Sequence, residues 1–191
     1  VVVSSDVSRM VSLEMGGRRA TVGIVEGGGQ ALTGQFEVDM VQLKKNSGLP
    51  ISIPAIDLVE IGSGGGSIAR IEMGAIAVGP ESAGSVPGPI AYGRGGVQPT
   101  VTDADLLLGY LDPNYFLGGQ MNLDIDAAKN GIQEHIAKPL EIDVVEAAWG
   151  IYEVVTSQMR SEEHSSELQS LVNVLCCLPL VKKYIFPSYA C

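Results

Sequence analysis

The feature that most constrains this chain is a glycine run, Gly62-Ser63-Gly64-Gly65-Gly66, between two apolar segments. Glycine permits backbone conformations and close approaches that other residues do not, but it loses more conformational entropy on folding than any other residue. One interpretation of the run is a tight turn between two strands. The other is a cradle in which consecutive backbone N–H groups hold an oxygen-rich or phosphate ligand. The run alone favours neither.

The segments before the glycine run have the composition of β-strands. Residues 13–25 predict a strand, a tight turn at Gly16-Gly17 and a second strand. Residues 35–41 and 49–61 carry the apolar and β-branched side chains of further strands. The first third of the chain is therefore expected to be mostly β-structure.

After the run, residues 68–73 and 75–78 predict a hairpin that turns at Met73-Gly74. Residues 79–99 follow as a loop rich in glycine and proline, with Glu81 and Arg94 as its two charges. A loop of this length inside a domain is usually functional or disordered, and such sparse charge argues against a solvated linker. The sequence therefore favours an ordered loop.

From residue 100 the apolar pattern changes to that of helices. Thr102 or Asp103 can cap a first short helix, and Asp124 can cap a second. Asp143 and Glu146 have the capping-box spacing that opens a third. Strands first and helices afterwards, around one core, predict a mixed α/β fold in one domain.

Charge and composition exclude several classes of partner and site. The net charge of −10 argues against nucleic acid, because neutralising phosphates needs clustered Lys and Arg, and against an anionic membrane surface. No apolar run approaches the roughly 20 residues that span a bilayer. All three cysteines follow residue 175 and there are two histidines, so neither a disulfide framework nor a histidine metal site is expected. A cytoplasmic location is expected.

An ordered series of motifs over residues 15–159 resembles the hydantoinase A/5-oxoprolinase family, whose relatives include the ATP-using subunits of acetone-type carboxylases. The glycine signature extends over residues 56–69. The other matching segments follow in the family's order: Val78-Gly79-Pro80-Glu81-Ser82-Ala83-Gly84, Pro87-Gly88-Pro89, Tyr92-Gly93-Arg94-Gly95-Gly96, Pro99-Thr100-Val101-Thr102-Asp103-Ala104-Asp105 and Phe116-Leu117-Gly118-Gly119. A lone Gly-Gly-Gly is a weak signal, but this series is specific.

The resemblance implies a partial actin-like, sugar-kinase-like ATPase fold and ATP with Mg²⁺ as cofactors. It implies a fragment of an ATP-dependent hydrolase subunit that opens a small cyclic amide, such as a hydantoin or 5-oxoproline, together with a hydantoinase B-type partner subunit. The alternatives are the ATP-using subunit of an acetone-type carboxylase, and a non-catalytic fragment whose glycine loops pack against a partner. Because family members need further nucleotide-binding loops that lie outside these residues, the isolated chain is expected to be inactive.

The resemblance places a phosphate loop at Glu14-Met15-Gly16-Gly17, where the family carries Asp-Met-Gly-Gly-Thr. It implies that Gly16 and Gly17 bind the cofactor and that Glu14 binds both cofactor and metal. The chain departs from the family here, with Arg18 and Arg19 at the hydroxyl positions and Thr21 where relatives carry Lys or Asp. A plain hairpin turn is the alternative interpretation.

The resemblance adds two groups of residues to the expected site. The glycine signature is expected to contribute the cofactor-binding residues Gly64, Gly65, Gly66 and Ser67. Asp103 and Glu81 are the candidate catalytic acids. For Asp103 the alternative is a helix cap. For Glu81 it is an ion pair with Arg94.

The last segment does not continue these patterns. Residues 160–170 resemble the translation of a common sequencing-library adapter, and the chain begins without a methionine. The expected division is therefore a family fragment over residues 1–159 and a non-native tail over residues 160–191. A genuine amphipathic tail is the alternative.

Overall fold

The structure, a computed structural model, describes residues 9–26, 29–30, 32–34, 36–38, 48–56 and 58–161. Within these residues ten strands come first: β1 (Arg9–Met15), β2 (Ala20–Glu26), β3 (Gly29–Gln30), β4 (Leu32–Thr33), β5 (Phe36–Val38), β6 (Leu49–Ile51), β7 (Ala55–Ile56), β8 (Leu58–Ile61), β9 (Ser67–Glu72) and β10 (Ala75–Ser82). The helices follow: α1 (Val101–Leu107), α2 (Ile125–Ile132), α3 (Lys138–Leu140) and α4 (Val144–Ser161). The predicted α/β class, with strands before helices, is confirmed.

The described residues divide into two compact units. One comprises the segments up to Glu14 and from Thr21 to Glu60, and the other comprises Met15–Ala20 and the chain from Ile61 onward. The first unit contains most of a four-stranded sheet, in which β1, β2 and β3 lie in that order and β8 also pairs with β2. It also contains the two-stranded pairs β4–β7 and β5–β6.

The second unit contains the predicted hairpin. Strands β9 and β10 pair antiparallel, with Glu72 opposite Ala75 and Ile71 opposite Ile76. Met73 and Gly74, the two turn residues, both have positive φ, at 52° and 80°, as a type I′ turn requires. The hairpin is confirmed, and β10 extends to Ser82, four residues beyond the predicted end.

Helix α1 begins two or three residues earlier than the predicted cap implies. Its N-cap is Thr100, whose hydroxyl accepts a hydrogen bond from the Asp103 N–H, while the Asp103 carboxylate accepts from the Thr100 N–H. These reciprocal bonds form a capping box. The prediction of Thr102 or Asp103 as the cap was therefore wrong, because the extended residue is Thr100 and Asp103 occupies the third helical position.

The other two predicted caps are confirmed. The Asp124 carboxylate accepts from the Ala127 N–H at 2.9 Å, and the Asp143 carboxylate accepts from the Val145 N–H at 2.8 Å. Each satisfies one of the donors that the first turn of a helix leaves without an intrahelical partner. Between α2 and α3 the chain continues as a π-helical turn, Gln133–Ala137.

The main apolar core of the second unit lies between the hairpin and the helices. It comprises the buried residues Ala69, Val78, Val101, Ala104, Ile132, Ile136, Ala137, Val144, Ala147, Ala148, Ile151 and Val155. Two helical glycines allow close packing beside it. A Cβ at Gly131 would lie 2.2 Å from Cδ1 of Ile90, and one at Gly150 would lie 2.6 Å from Cδ1 of Ile76. Glycine inside these helices thus makes room for a neighbouring isoleucine.

Two predictions fall partly or wholly outside the described residues. The suggested tail, residues 160–191, lies outside them except for Arg160 and Ser161, which end α4. The predicted strand over residues 35–41 also lies outside them, except for Phe36–Val38, which form β5. Across the described part of the chain, no helix combines the length and the apolar character that crossing a membrane requires.

Candidate functional site

All four backbone N–H groups from Gly64 to Ser67 donate to acceptors within the chain. The Gly64 N–H donates to Oγ of Ser67 at 2.9 Å, and the Ser67 N–H donates to the carbonyl of Gly64 at 3.0 Å. The Gly65 and Gly66 N–H groups donate to the carbonyls of Gly16 and Gly17, at 2.9 and 2.8 Å. The run is therefore a self-closed turn bonded to the 16–19 loop.

Glycine is required in this run because other backbone lies against it. A Cβ at Gly64 would lie 2.6 Å from the Gly16 carbonyl oxygen and 2.7 Å from the Arg19 nitrogen. One at Gly66 would lie 2.8 Å from the carbonyl oxygen of Gly17. These distances are shorter than any unstrained carbon contact, and a backbone atom cannot rotate away. Because Gly64 and Gly66 have no side chain, the backbone of this run can contact the backbone of the 16–19 loop.

Hydroxyl groups from two other segments join these loops. Thr102, in the first turn of α1, donates through both its N–H and its hydroxyl to the carbonyl of Gly65, each at 2.8 Å. Ser82, at the end of β10, donates its hydroxyl to the carbonyl of Gly17 at 2.8 Å. We call the set Gly16–Arg19, Gly64–Ser67, Ser82–Gly84 and Thr102 the glycine junction. All its members lie in the second unit.

The 16–19 loop supplies the donors of the junction that are open to a ligand. The loop closes on itself through a hydrogen bond from the Gly16 N–H to the Arg19 carbonyl, at 2.9 Å. The N–H groups of Gly17 and Arg18 have no acceptor among the described residues, and both residues are exposed. The Arg18 guanidinium extends towards Gly84. Adjacent backbone N–H groups beside an arginine suit an anionic oxygen ligand such as a phosphate.

Asp103 is fully buried and its two carboxylate oxygens accept four hydrogen bonds. One oxygen accepts from the Ala91 N–H at 2.8 Å. The other accepts from the Ile90 N–H at 3.2 Å and from the N–H and hydroxyl of Thr100 at 2.9 and 2.8 Å. Burial raises the pKa of Asp103, and these hydrogen bonds oppose that rise. The carboxylate thus ties the short 3₁₀ turn Ile90–Tyr92 to the start of α1.

The sequence-predicted residues separate into those the structure gathers and those it does not. Gly16, Gly17, Gly64, Gly65, Gly66 and Ser67 lie together in the junction. A nucleotide-binding role for the last four stays a prediction. The N–H groups of Gly65 and Gly66 hold the 16–19 loop, and those of Gly64 and Ser67 bond within the turn. A catalytic role for Asp103 likewise stays a prediction, since its geometry is that of a residue that positions its neighbours.

The two predicted glutamates are both exposed. Glu81 lies on β10, and no ion pair joins it to Arg94 within the described residues, so that alternative is not realised. Glu14 belongs to the first unit. In the part of the chain that the structure describes, no three His, Cys, Asp or Glu residues gather as a metal site. The metal and catalytic roles of Glu14 and Glu81 stay predictions.

Sequence reasoning missed two residues of the junction. Thr102 was considered as a helix cap and as part of a matching motif, and Ser82 only as part of a matching motif. The available signal was a hydroxyl residue at the end of each flanking segment, where side-chain donors often satisfy the carbonyls of a loop. Which carbonyl each would reach depends on tertiary packing, and the pattern of residues does not encode it locally.

Comparison with known proteins identifies the family. Residues 2–167 match the sequence model described as Hydantoinase/oxoprolinase. The chain belongs to this family. The match covers most of the chain and extends eight residues past the predicted boundary at residue 159, and the resemblance drawn from the motifs is confirmed.

Two curated relatives of this hydantoinase/oxoprolinase chain are subunits of different enzymes. It is 41% identical over 156 residues to the caprolactamase subunit alpha of Pseudomonas jessenii, a match that covers 81% of this chain and 21% of that protein. It is 45% identical over 113 residues to the acetophenone carboxylase gamma subunit of Aromatoleum aromaticum, covering 58% of this chain and 15% of that protein. The chain thus spans about a fifth or less of the length of these relatives.

Solved structures of the family share the fold. A nucleotide-free acetone carboxylase structure superposes with a TM-score of 0.67 at 29% identity, covering 87% of this chain and 22% of that chain. The ATP-dependent caprolactamase from Pseudomonas jessenii superposes with a TM-score of 0.65 at 39% identity, covering 82% and 22%. The observed α/β arrangement is therefore that of one segment of a much longer family member.

Proposed function

We propose that this chain is a segment of the ATP-using subunit of an enzyme that opens cyclic amides. The observation that carries the proposal is the 41% identity to a caprolactamase subunit over 81% of the chain. The family match over residues 2–167 includes the glycine junction. An enzyme of this kind acts on a small lactam, hydantoin or oxoproline ring. The partner implied is a hydantoinase B-type subunit, and the location implied is the cytoplasm.

Within that function, the chain's own residues divide their tasks. The N–H groups of Gly17 and Arg18, with the Arg18 guanidinium, bind an anionic phosphate oxygen. The Gly64–Ser67 turn, Ser82 and Thr102 hold the 16–19 loop in place. ATP with Mg²⁺, when bound, supplies the phosphoryl group that activates the amide oxygen. Positioning and charge neutralisation by these residues are the expected contributions to rate.

A segment exchange tests the proposal. The matching segment of the caprolactamase subunit alpha is replaced by residues 15–159 of this chain, and the hybrid is purified with its partner subunit. We expect caprolactam-dependent ADP release above background. The same hybrid carrying Arg18→Ala is expected to have a higher KM for ATP than the hybrid without the substitution. A hybrid that folds and assembles like the parent, yet releases no ADP with caprolactam, would contradict the proposal.

A carboxylase role is the second candidate, and the 45% identity to an acetophenone carboxylase subunit favours it. The full-length protein with its partner subunit separates the two roles. ADP release stimulated by a ketone with bicarbonate, and not by a cyclic amide, would identify the carboxylase. Stimulation by the cyclic amide alone is the result expected from our proposal.

The isolated 191-residue chain is expected to lack ATPase activity. It spans about a fifth of its relatives, and a nucleotide needs more contacts than one phosphate-facing loop provides. Magnesium-dependent ADP production by the purified chain, measured against the Arg18→Ala variant, would show that the described residues suffice.

A further inference from the structure

The outer edge of β10 faces an open groove of about 530 Å³ in the second unit. Backbone of β10 from Ile76 to Pro80 forms one side of the groove. Other lining residues include Gly62, Ser63, Arg70, Val154 and Gln158. The groove therefore offers a strand edge together with polar and apolar side chains.

The register of the hairpin determines which backbone groups point into this groove. The two-residue turn makes Glu72 and Ala75 a hydrogen-bonded pair, and hydrogen-bonded pairs alternate along an antiparallel ladder. Ile76 and Val78 therefore direct their N–H and C=O groups away from β9. The Val78 carbonyl agrees with this, because it accepts a hydrogen bond from Nε2 of Gln158 at 3.0 Å.

The two edges of the hairpin differ in how they are satisfied. The outer edge of β9 is covered, since the Ala69 N–H donates to the Pro99 carbonyl at 2.8 Å and Ile68 bridges to Thr100. On β10, the Ile76 N–H and carbonyl and the Val78 N–H have no partner among the described residues. An edge with adjacent open donors and acceptors is a template for another strand.

We infer that a strand from the remainder of the full-length polypeptide pairs with β10 at Ile76 and Val78. An extended backbone is the ligand whose spacing of donors and acceptors matches a strand edge. A two-stranded sheet gains stability from a third strand. The family structures contain about four-fifths of their chain outside the matched segment, and a segment of the same polypeptide binds at high effective concentration.

The groove also defines the chemistry of that strand. Side chains alternate across a sheet, so Ile71 and Ile76 face the helical core while Arg70, Glu72 and Ala77 face the other way. The added strand should therefore carry apolar residues on the side of Val154 and polar residues on the side of Arg70 and Glu72. This inference is independent of the reaction proposed above.

Amide hydrogen exchange tests the pairing directly. The exchange rate of the Ile76 amide is compared in the 191-residue chain and in the full-length protein, with the Ala77 amide, which bonds to β9, as the internal reference. We expect the Ile76 amide to exchange about tenfold or more slowly in the full-length protein. Equal rates in the two proteins would overturn the inference. Protection that appears only when a partner subunit is added would also overturn it, because the strand would then belong to the partner.

A pair of variants provides a second test. Ile76→Ala removes the side chain and keeps the N–H, whereas Ile76→Pro removes the N–H as well. Because this N–H points away from β9, its loss breaks no bond of the hairpin. We expect the melting temperature to fall more for Ile76→Pro than for Ile76→Ala, and this difference to be larger in the full-length protein than in the 191-residue chain. The same difference in both proteins would contradict the added strand.

Discussion

The Gly64–Gly66 run and the loop over residues 84–96 are both rich in glycine, but the run and Gly93, in the middle of the loop, need it for different reasons. In the run, no glycine has positive φ, and each lies against other atoms of the junction. In the loop, Gly93 has a φ of 64° and nothing within 4 Å of the position its Cβ would occupy. Glycine thus serves close packing throughout the run and backbone conformation at Gly93. Gly96 of the same loop resembles the run, because its Cβ would lie 2.2 Å from the Gly88 carbonyl oxygen.

This difference bears on what each region contributes to the site. The run is held from several sides, by the 16–19 loop, by Thr102 and by the Ser82–Gly84 segment. The loop is held by the Asp103 carboxylate, which accepts from the Ile90 and Ala91 N–H groups, and by the Asp124 N–H, which donates to the Ala91 carbonyl at 2.9 Å. A side chain added to the run should therefore displace the 16–19 loop, whereas one added at Gly93 should strain the backbone only locally.

The largest effect is expected for Gly64→Ala. Its Cβ would meet three backbone atoms of the 16–19 loop at 2.6 to 2.8 Å, and none can rotate away. Overpacking of this kind destabilises a fold by about 3 kcal/mol. Urea unfolding of the 191-residue chain measures it. An unchanged midpoint would show that the loops are not packed as described.

Asp103→Asn is expected to have the next largest effect. An amide would turn its NH₂ towards groups that are themselves donors, leaving at least one buried donor unsatisfied, which costs about 2 kcal/mol. The unfolding free energy should fall by this amount, while Asp126→Asn, at an exposed position of α2, serves as the control. Equal losses for the two variants would contradict the special position of Asp103.

The contribution of Asp103 to the unfolding free energy should depend on pH. Burial raises the pKa of Asp103 above its usual value of 3.8, so the folded protein binds the proton more tightly than the unfolded chain. Stability from this group is fully present below pH 3.8 and is lost as pH rises through the raised pKa. The unfolding free-energy difference between wild type and Asp103→Asn should therefore shrink over that range. A difference that grows with pH would show that the hydrogen bonds outweigh burial.

Gly93→Ala is expected to have a smaller effect. A left-handed conformation costs a residue with a Cβ roughly 1 kcal/mol, and no contact adds to that here. Gly93→Asn should lose less, because asparagine tolerates this conformation better. Thermal unfolding of the two variants measures the order. If alanine and asparagine were equally harmful, crowding, rather than φ, would be the reason for glycine at this position.

The sequence alone predicted the elements whose signals are local. The hairpin at Met73-Gly74 follows from its turn residues, and the caps Asp124 and Asp143 follow from their spacing to the apolar faces. The cap of α1 was predicted wrongly because three polar residues, Thr100, Thr102 and Asp103, compete for one position. The choice among them depends on the buried bonds that Asp103 makes to residues 90 and 91.

The candidate site was predictable in its membership but not in its arrangement. The family motifs predicted that Gly16, Gly17 and the Gly64–Ser67 segment belong to the site. The motifs could not show that the Gly65 and Gly66 N–H groups donate to the carbonyls of Gly16 and Gly17. These hydrogen bonds join residues nearly fifty positions apart in the sequence. Long-range contacts of this kind are decided by packing and leave no periodic pattern in the sequence.

The smallest effect is expected for Gly62→Ala, a control two residues before the Gly64–Gly66 run. Gly62 is exposed, its φ is not positive, and nothing lies within 4 Å of the place its Cβ would take. Alanine at such a position should change the unfolding free energy by about 0.5 kcal/mol at most, towards greater stability, because it restricts the unfolded chain. Urea unfolding of the Gly62→Ala and Gly64→Ala variants compares their unfolding free energies. If the two substitutions were equally destabilising, glycine in the run would be needed for backbone freedom throughout, and its contrast with the longer loop would disappear.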